Sequence, residues 1–206
     1  MDRTAEFWDK LSDKYAAQPI SNVKAYEQTL TRVRHWLRAD MSVLEVGCGT
    51  GTTALRLADA VARYHGTDLS GAMVRIAGGK ADAAKAAHVD FSVAPVHDAG
   101  QGREFDAVLG FNILHLIDDL PGALAHLRAR LPRGGLLITK TPCLSGKPWL
   151  KPVIWAMQLV GKAPRPVHFL SPEQIESAMA KAGFEIVETA GLPPKLPSHF
   201  VVARAL

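Results

Sequence analysis

The run Val43-Leu44-Glu45-Val46-Gly47-Cys48-Gly49-Thr50-Gly51 sets an acid two residues ahead of three alternating glycines. Glycines at the carboxyl end of a strand let the backbone turn tightly and let a ligand approach it closely. Three of them in so short a run weigh against a turn that binds nothing. A second acid, Asp68, follows Gly47 by 21 residues, at the end of the next strand. A carboxylate there can accept hydrogen bonds from both ribose hydroxyls of an adenosine-containing ligand. Nicotinamide dinucleotides share that feature, but their fingerprint is G-x-G-x-x-G. Here the third glycine comes one position early, Thr52 takes the fingerprint position, and Glu45 interrupts what would be an apolar strand. A P-loop is excluded, because no Lys-Ser/Thr pair follows the glycines.

Other side chains suited to chemistry are few. His115 falls just past the fourth strand, on the side where open α/β sheets bind ligands. Its imidazole can take a proton near neutral pH; the bland alternative is a pocket wall or a helix start. His168 can reach the same pocket from a later segment. Tyr15 either closes over the ligand from the N-terminal helix or packs beside Leu11. No GxSxG, HExxH or paired-Asp metal pattern occurs. The two cysteines, Cys48 and Cys143, lack CxxC or Cys/His ligand spacing, so no metal site and no disulfide framework are expected. That fits a reducing, cytoplasmic setting.

The elements that must position these residues follow from periodicity. Phe7, Trp8, Leu11 and Tyr15 recur at helical spacing, as do Tyr26, Leu30, Val33 and Leu37, which predicts two amphipathic N-terminal helices. Short β-branched runs then predict strands at 42–46, 64–67, 89–93, 105–111 and 135–141. Helices intervene: one after the glycine loop, one capped by Ser70 with Met73, Ile76 and Ala77 inward, and one over 120–131. Such alternation implies βαβ units, a parallel sheet and right-handed crossovers. Residues 142–169 break the pattern, being rich in Pro, Gly, Lys and Trp, with one helix-like stretch at 149–160. Ser171-Pro172-Glu173-Gln174 is a capping box whose helix ends at Gly183. Strands at 184–189 and 199–204, joined through Gly191-Leu192-Pro193-Pro194 without a helix, should pair antiparallel.

Val43 to Gly51 resembles the first motif of class I S-adenosylmethionine-dependent methyltransferases, hydrophobic-E/D-x-G-x-G-x-G. Gly66-Thr67-Asp68-Leu69-Ser70 with Met73 is similar to the family's second-strand segment, and Phe105 to Val108 through Asn112, Leu114, His115 and Asp118 to its fourth-strand segment. Leu131-Pro132-Arg133-Gly134-Gly135 and Ala182-Gly183-Phe184 resemble its turns before the fifth and sixth strands. The resemblance runs from about residue 36 to the end. It implies one Rossmann-like, doubly wound α/β domain over residues 1–206, with a seven-stranded sheet of order 3-2-1-4-5-7-6 and the last strand antiparallel. Residues 1–38 would form a helical cap and 142–170 a substrate lid carrying Trp149 and His168. The implied cofactor is S-adenosylmethionine, held by Tyr15, Glu45, Gly47, Cys48, Gly49, Gly51, Asp68, Leu69, Met73, Pro95, Val96, Asn112 and Ile113. One departure concerns adenine: many relatives carry an acid just after the third strand, and this chain has Ala94-Pro95 there, with Asp98 later.

The implied reaction is in-line transfer of a methyl group to a small-molecule, apolar or lipid-like acceptor. Positioning supplies much of such catalysis, and a base, His115 here, is needed only if the nucleophile arrives protonated. Two other readings stand beside it: a scaffold that binds the cofactor without turnover, and a nicotinamide-dependent oxidoreductase. The net charge of +4 is scattered, with no run of five Lys/Arg, so nucleic acid is not an expected partner. The N-terminus lacks an apolar signal core, and no stretch is long enough to span a membrane. The apolar run from Trp149 to Met157, flanked by Lys147, Lys151 and Lys162, suits a lid, core packing, a dimer interface or contact with a membrane surface. The residue pattern carries no signal for oligomeric state.

Overall fold

Alternation of side chains along the strands decides where every layer goes. In the computed structural model, which describes residues 3–191 and 198–206, the strands are β1 (Ser42–Val46), β2 (Arg63–Asp68), β3 (Val89–Val93), β4 (Ala107–Phe111), β5 (Leu136–Pro142), β6 (Phe184–Gly191) and β7 (Ser198–Ala205). Leu44, Val46, Val108, Leu137, Val201 and Ala203 pack into one core layer. Their neighbours Val43, Leu109, Ile138, Phe200 and Val202 pack into the other, as a period of two requires. The first layer is closed by α5 (Leu120–Arg128) and α7 (Pro172–Lys181), through Leu124, Leu127, Ile175 and Met179. The second is closed by α2 (Val23–Trp36) and α3 (Thr52–Leu57), through Leu30, Val33 and Leu57.

The sheet runs β3-β2-β1-β4-β5-β7-β6, parallel throughout except for β7, which lies antiparallel to both neighbours. This is the order that the resemblance implies. Beyond Gly191, the expected connection through Leu192 to Pro194 lies outside the described residues. Ser171 and Gln174 form the expected reciprocal cap of α7, and Gly183 follows it with φ +86°. Several element boundaries shift by one to three residues, those of α5 and β4 among them. α5 stops at Arg128, because Leu131 N–H already turns back to the Arg128 carbonyl. β4 starts at Ala107, although Asp106 still bonds both neighbouring strands: its N–H donates to the Ser42 carbonyl at 2.8 Å, its carbonyl accepts the Leu136 N–H at 3.0 Å, and its carboxylate accepts the Ser42 N–H at 2.7 Å.

The first helix departs most from its expected role. α1 (Arg3–Ala17) buries none of Phe7, Trp8, Leu11 and Tyr15; Ser12 is its only buried residue. Its apolar stripe does not lie on the sheet. Instead α1 packs against α4 (Gly71–Ala83), anchored where that helix begins. The Asp9 carboxylate accepts the Ser70 hydroxyl at 2.5 Å and the Ala72 N–H at 3.0 Å, while the Ser70 oxygen caps Met73 N–H. These two bonds, Ser70 first, hold the Asp9 carboxyl below its usual range. Of the stripe, Trp8 and Tyr15 are left facing the carboxyl ends of the strands, while Phe7 faces Gln158 and Leu159.

Candidate active-site cleft

The three glycines of the loop after β1 all have left-handed backbone, with φ of +67° at Gly47, +54° at Gly49 and +73° at Gly51. Their surroundings separate their roles. A Cβ on Gly51 would meet Ala77 Cβ at 2.8 Å and the Phe91 ring at 2.9 Å, so this glycine lets α4 and β3 close on the loop. A Cβ on Gly47 would lie 3.0 Å from the Ile113 side chain. At Gly49 it would meet only Tyr15, at 3.9 Å, so the missing side chain leaves space on the ligand side.

Asp68 ties this loop to the next one. Its two carboxylate oxygens accept the Gly49 N–H and the Ser70 N–H, each at 2.9 Å. A carboxylate offers about four lone-pair sites, so each oxygen retains one for a ligand hydroxyl. Burial raises the Asp68 carboxyl, and the two backbone bonds oppose that rise. From outside, Lys80 Nζ holds Thr50 Oγ1 at 3.1 Å and Thr52 Oγ1 at 3.3 Å.

Glu45 is buried on β1 and accepts the Tyr64 hydroxyl at 2.9 Å. Loss of solvent pushes its carboxyl up to about 8, with the Asp68 charge adding and the Tyr64 bond opposing. At neutral pH it is mostly protonated. Burial, then Glu45 and Asp68, push the Cys48 thiol far upward, so it is no nucleophile.

The cleft has two lobes, of about 560 Å³ and about 110 Å³, which share Tyr15, Gly47, Gly49, Phe111 and Asn112. Asp68, Leu69, Met73 and Ile113 line the smaller lobe together with Trp8 and Leu116. Glu45, Cys48, Tyr26, Thr29 and Lys140 line the larger. Asn112, with φ +56°, is a non-glycine residue held in left-handed backbone, and its N–H donates to the Lys140 carbonyl at 2.8 Å. Such strain gathers at working sites.

Ten of the thirteen expected cofactor residues thus meet around one cleft, and Gly51 packs beneath them. Pro95 is exposed and Val96 packs against the α5 layer; neither lines the lobes. His115 lies in the turn Leu114–Leu116, between residues that serve the core and the cleft, and is itself outside the cleft wall. Burial, with His168 adding, lowers it to about 4. His168 N–H donates to the His115 carbonyl at 2.7 Å, and its Nε2 lies 3.0 Å from Asp118. Trp149, at the start of α6 (Leu150–Leu159), is 64% exposed and lines neither lobe. Among the residues not expected at the site are Trp8, Tyr26, Lys140 and the anchor Asp9.

Between about pH 5 and 8 the folded chain keeps a Glu45 proton that the unfolded chain has released, so Glu45 lowers stability as pH rises through that window. Glu45→Gln keeps an acceptor for Tyr64 and has no such proton. Urea unfolding at pH 5, 6.5 and 8 is expected to show a flatter pH dependence for the variant. Identical slopes would contradict the protonated Glu45.

Residues 17–189 match the family model of a methyltransferase domain. A ubiquinone biosynthesis O-methyltransferase from Azorhizobium caulinodans is 25% identical, over 91% of this chain and 79% of its own length. Another from Methylobacterium nodulans is 28% identical, over 91% and 80%. The crystal structure of magnesium protoporphyrin IX methyltransferase from Synechocystis PCC 6803 with bound SAM shares the fold, with a TM-score of 0.75 and 20% identity over 100% of this chain and 98% of that one. Family match, strand order and glycine loop agree: the chain belongs to the class I S-adenosylmethionine-dependent methyltransferases.

Proposed function

We propose that this enzyme methylates an oxygen of a small, largely apolar acceptor. The observation that carries the cofactor half is the Asp68 carboxylate, joined to Gly49 N–H and Ser70 N–H with lone pairs to spare at a cleft that Gly49 leaves open. Asp68 would hold the ribose, Leu69 and Met73 would flank the adenine, and Tyr15 and Trp8 would cover the ligand from α1. S-adenosylmethionine supplies an already activated methyl group, so the protein's part is to align it and exclude water. The curated relatives act as O-methyltransferases by name, which supports oxygen as the methylated atom. His115, the expected base, is neutral at pH 7 but weakly basic at about 4 and stands outside the cleft wall. The reading therefore favours an acceptor that needs little help losing a proton.

Helix α6 supports the apolar, lipid-like half. None of its residues is buried, and Trp149, Val153, Trp155, Leu159 and Val160 are all exposed on it or at its ends. Between Asp119 and Glu173 there is no Asp or Glu, while Lys147, Lys151, Lys162 and Arg165 fall in or beside this segment. An apolar surface with basic flanks suits the interface of an anionic membrane, where a lipid-like acceptor would be met.

Two outcomes are expected. Asp68→Ala should weaken S-adenosylhomocysteine binding at least about tenfold by calorimetry, since charge-assisted bonds contribute about 1.5–3 kcal/mol each; a loss below twofold would remove the ribose role. Wild type should sediment with phosphatidylglycerol vesicles at low salt, and Trp149→Glu with Trp155→Glu should abolish this while leaving S-adenosylhomocysteine affinity unchanged. Wild type that stays in the supernatant would remove the membrane reading.

A further inference from the structure

Among the described residues lining the cleft, Lys140 is the only Lys or Arg. Its strand, Leu136–Pro142, is otherwise apolar apart from two threonines. Its position in the sheet is informative. Asp68 ends β2, the glycine loop follows β1, Asn112 follows β4, and Lys140 is on β5, so four adjacent strands present these groups in a row. The residue suited to ribose stands at one end and the cation at the other, beyond Asn112, where an acceptor approaching from the side opposite the adenosine would lie.

The ammonium is held in place. Lys140 Nζ donates to Thr29 Oγ1 at 2.9 Å, and the Thr29 hydroxyl donates in turn to the Ala25 carbonyl at 2.8 Å. Thr29 is buried, and with its own proton committed it presents a lone pair to the lysine. Two of the three ammonium N–H groups remain for other partners. No ion pair reaches Lys140 among the described residues, and burial alone lowers its pKa, with no carboxylate offsetting the loss of water. A half-buried cation without a counter-ion is costly, and a bound anion relieves that cost.

We propose that Lys140 recognises the acceptor by pairing with an acidic oxygen on it, a carboxylate or a phenolate, and that this oxygen is the atom methylated. The inference rests on the methyltransferase reading above and names its substrate class: acids or acidic phenols with an apolar body. In the step, a lone pair of the acceptor oxygen forms the new O–C bond while the C–S bond breaks and its electrons return to sulfur. The anionic oxygen and the sulfonium both become neutral, giving an ester or ether and S-adenosylhomocysteine, and no proton is transferred. With His115 outside the cleft wall, the step asks no proton transfer of it. The methylated product also loses its charge pair with Lys140, which favours its departure.

Three nearly isosteric probes test this: 4-nitrobenzoate, 4-nitrophenolate at pH 8, and uncharged 4-nitrobenzyl alcohol, each titrated into full-length protein saturated with S-adenosylhomocysteine. Wild type should bind at least one anion ten or more times as tightly as the alcohol. A preference for 4-nitrobenzoate would identify a carboxylate acceptor, and one for 4-nitrophenolate a phenolic acceptor. Lys140→Met should erase that preference, Lys140→Arg should restore part of it, and both should keep S-adenosylhomocysteine affinity within twofold, which also shows that they fold. Equal binding of all three probes by wild type overturns the proposal. So does a Lys140→Met variant that loses S-adenosylhomocysteine but keeps the anion preference, since the lysine would then hold the cofactor's own carboxylate. Wild type unable to bind S-adenosylhomocysteine at all would instead refute the underlying cofactor reading.

Discussion

The cleft depends on one carboxylate holding two loops at once. Asp68 ends β2 and accepts the Gly49 N–H from the loop after β1 and the Ser70 N–H at the start of α4. These contacts fix the left-handed turn at Gly49 against the strand end and point the carboxylate at the space that this glycine leaves open. Ser70 then passes the constraint outward. Its hydroxyl caps Met73 N–H and donates to Asp9, so the same junction places α1 over the cleft and brings Tyr15 and Trp8 to its wall. Sheet, loop, helix start and cap are thereby set by a chain of three polar residues, Asp68, Ser70 and Asp9.

Electrostatics divides the cleft into two ends. Glu45 and Asp68 lie on adjacent strands, and burial raises both carboxyls, with the Asp68 charge adding to the rise at Glu45. A ligand that brings positive charge near the glycine loop would favour the ionised form of both. At the other end, on β5, the Lys140 ammonium has Thr29 as its one hydrogen-bond partner among the described residues. The protein thus offers Asp68 in the smaller lobe and Lys140 in the larger, a polarity suited to a cationic methyl donor and an anionic acceptor meeting between them. Charge neutralisation on transfer fits a half-enclosed site, where opposite charges attract more strongly than in water.

Much of this was legible in the residues. The glycine loop, Asp68, the seven strands and the final antiparallel pair follow from the residues themselves, while the strand order and the places of Leu69, Met73 and Asn112 follow from the resemblance to the family. What escaped has physical causes. The stripe Phe7-Trp8-Leu11-Tyr15 has the period of an amphipathic helix, but period reports that one face is apolar, not whether it meets a core or a ligand cleft. In the short turn Leu114–Leu116, neighbouring side chains point to different surroundings: Leu114 to the core and Leu116 to the cleft, with His115 in neither. Pro95 and Val96 were placed by analogy to a turn whose acid this chain lacks. Asp9 and Lys140 are single charged residues with no surrounding pattern, and only the tertiary fold brings them to Ser70 and Thr29.

The most direct test of the account is calorimetric titration of S-adenosylhomocysteine and of NADH into wild type and Gly49→Val. A Cβ at residue 49 enters space that the protein itself leaves empty apart from Tyr15. The account expects one S-adenosylhomocysteine site in wild type, no NADH binding, and at least a hundredfold loss of affinity in a Gly49→Val variant that still unfolds cooperatively. Unchanged S-adenosylhomocysteine affinity in that folded variant, or NADH binding in preference to S-adenosylhomocysteine, would contradict it.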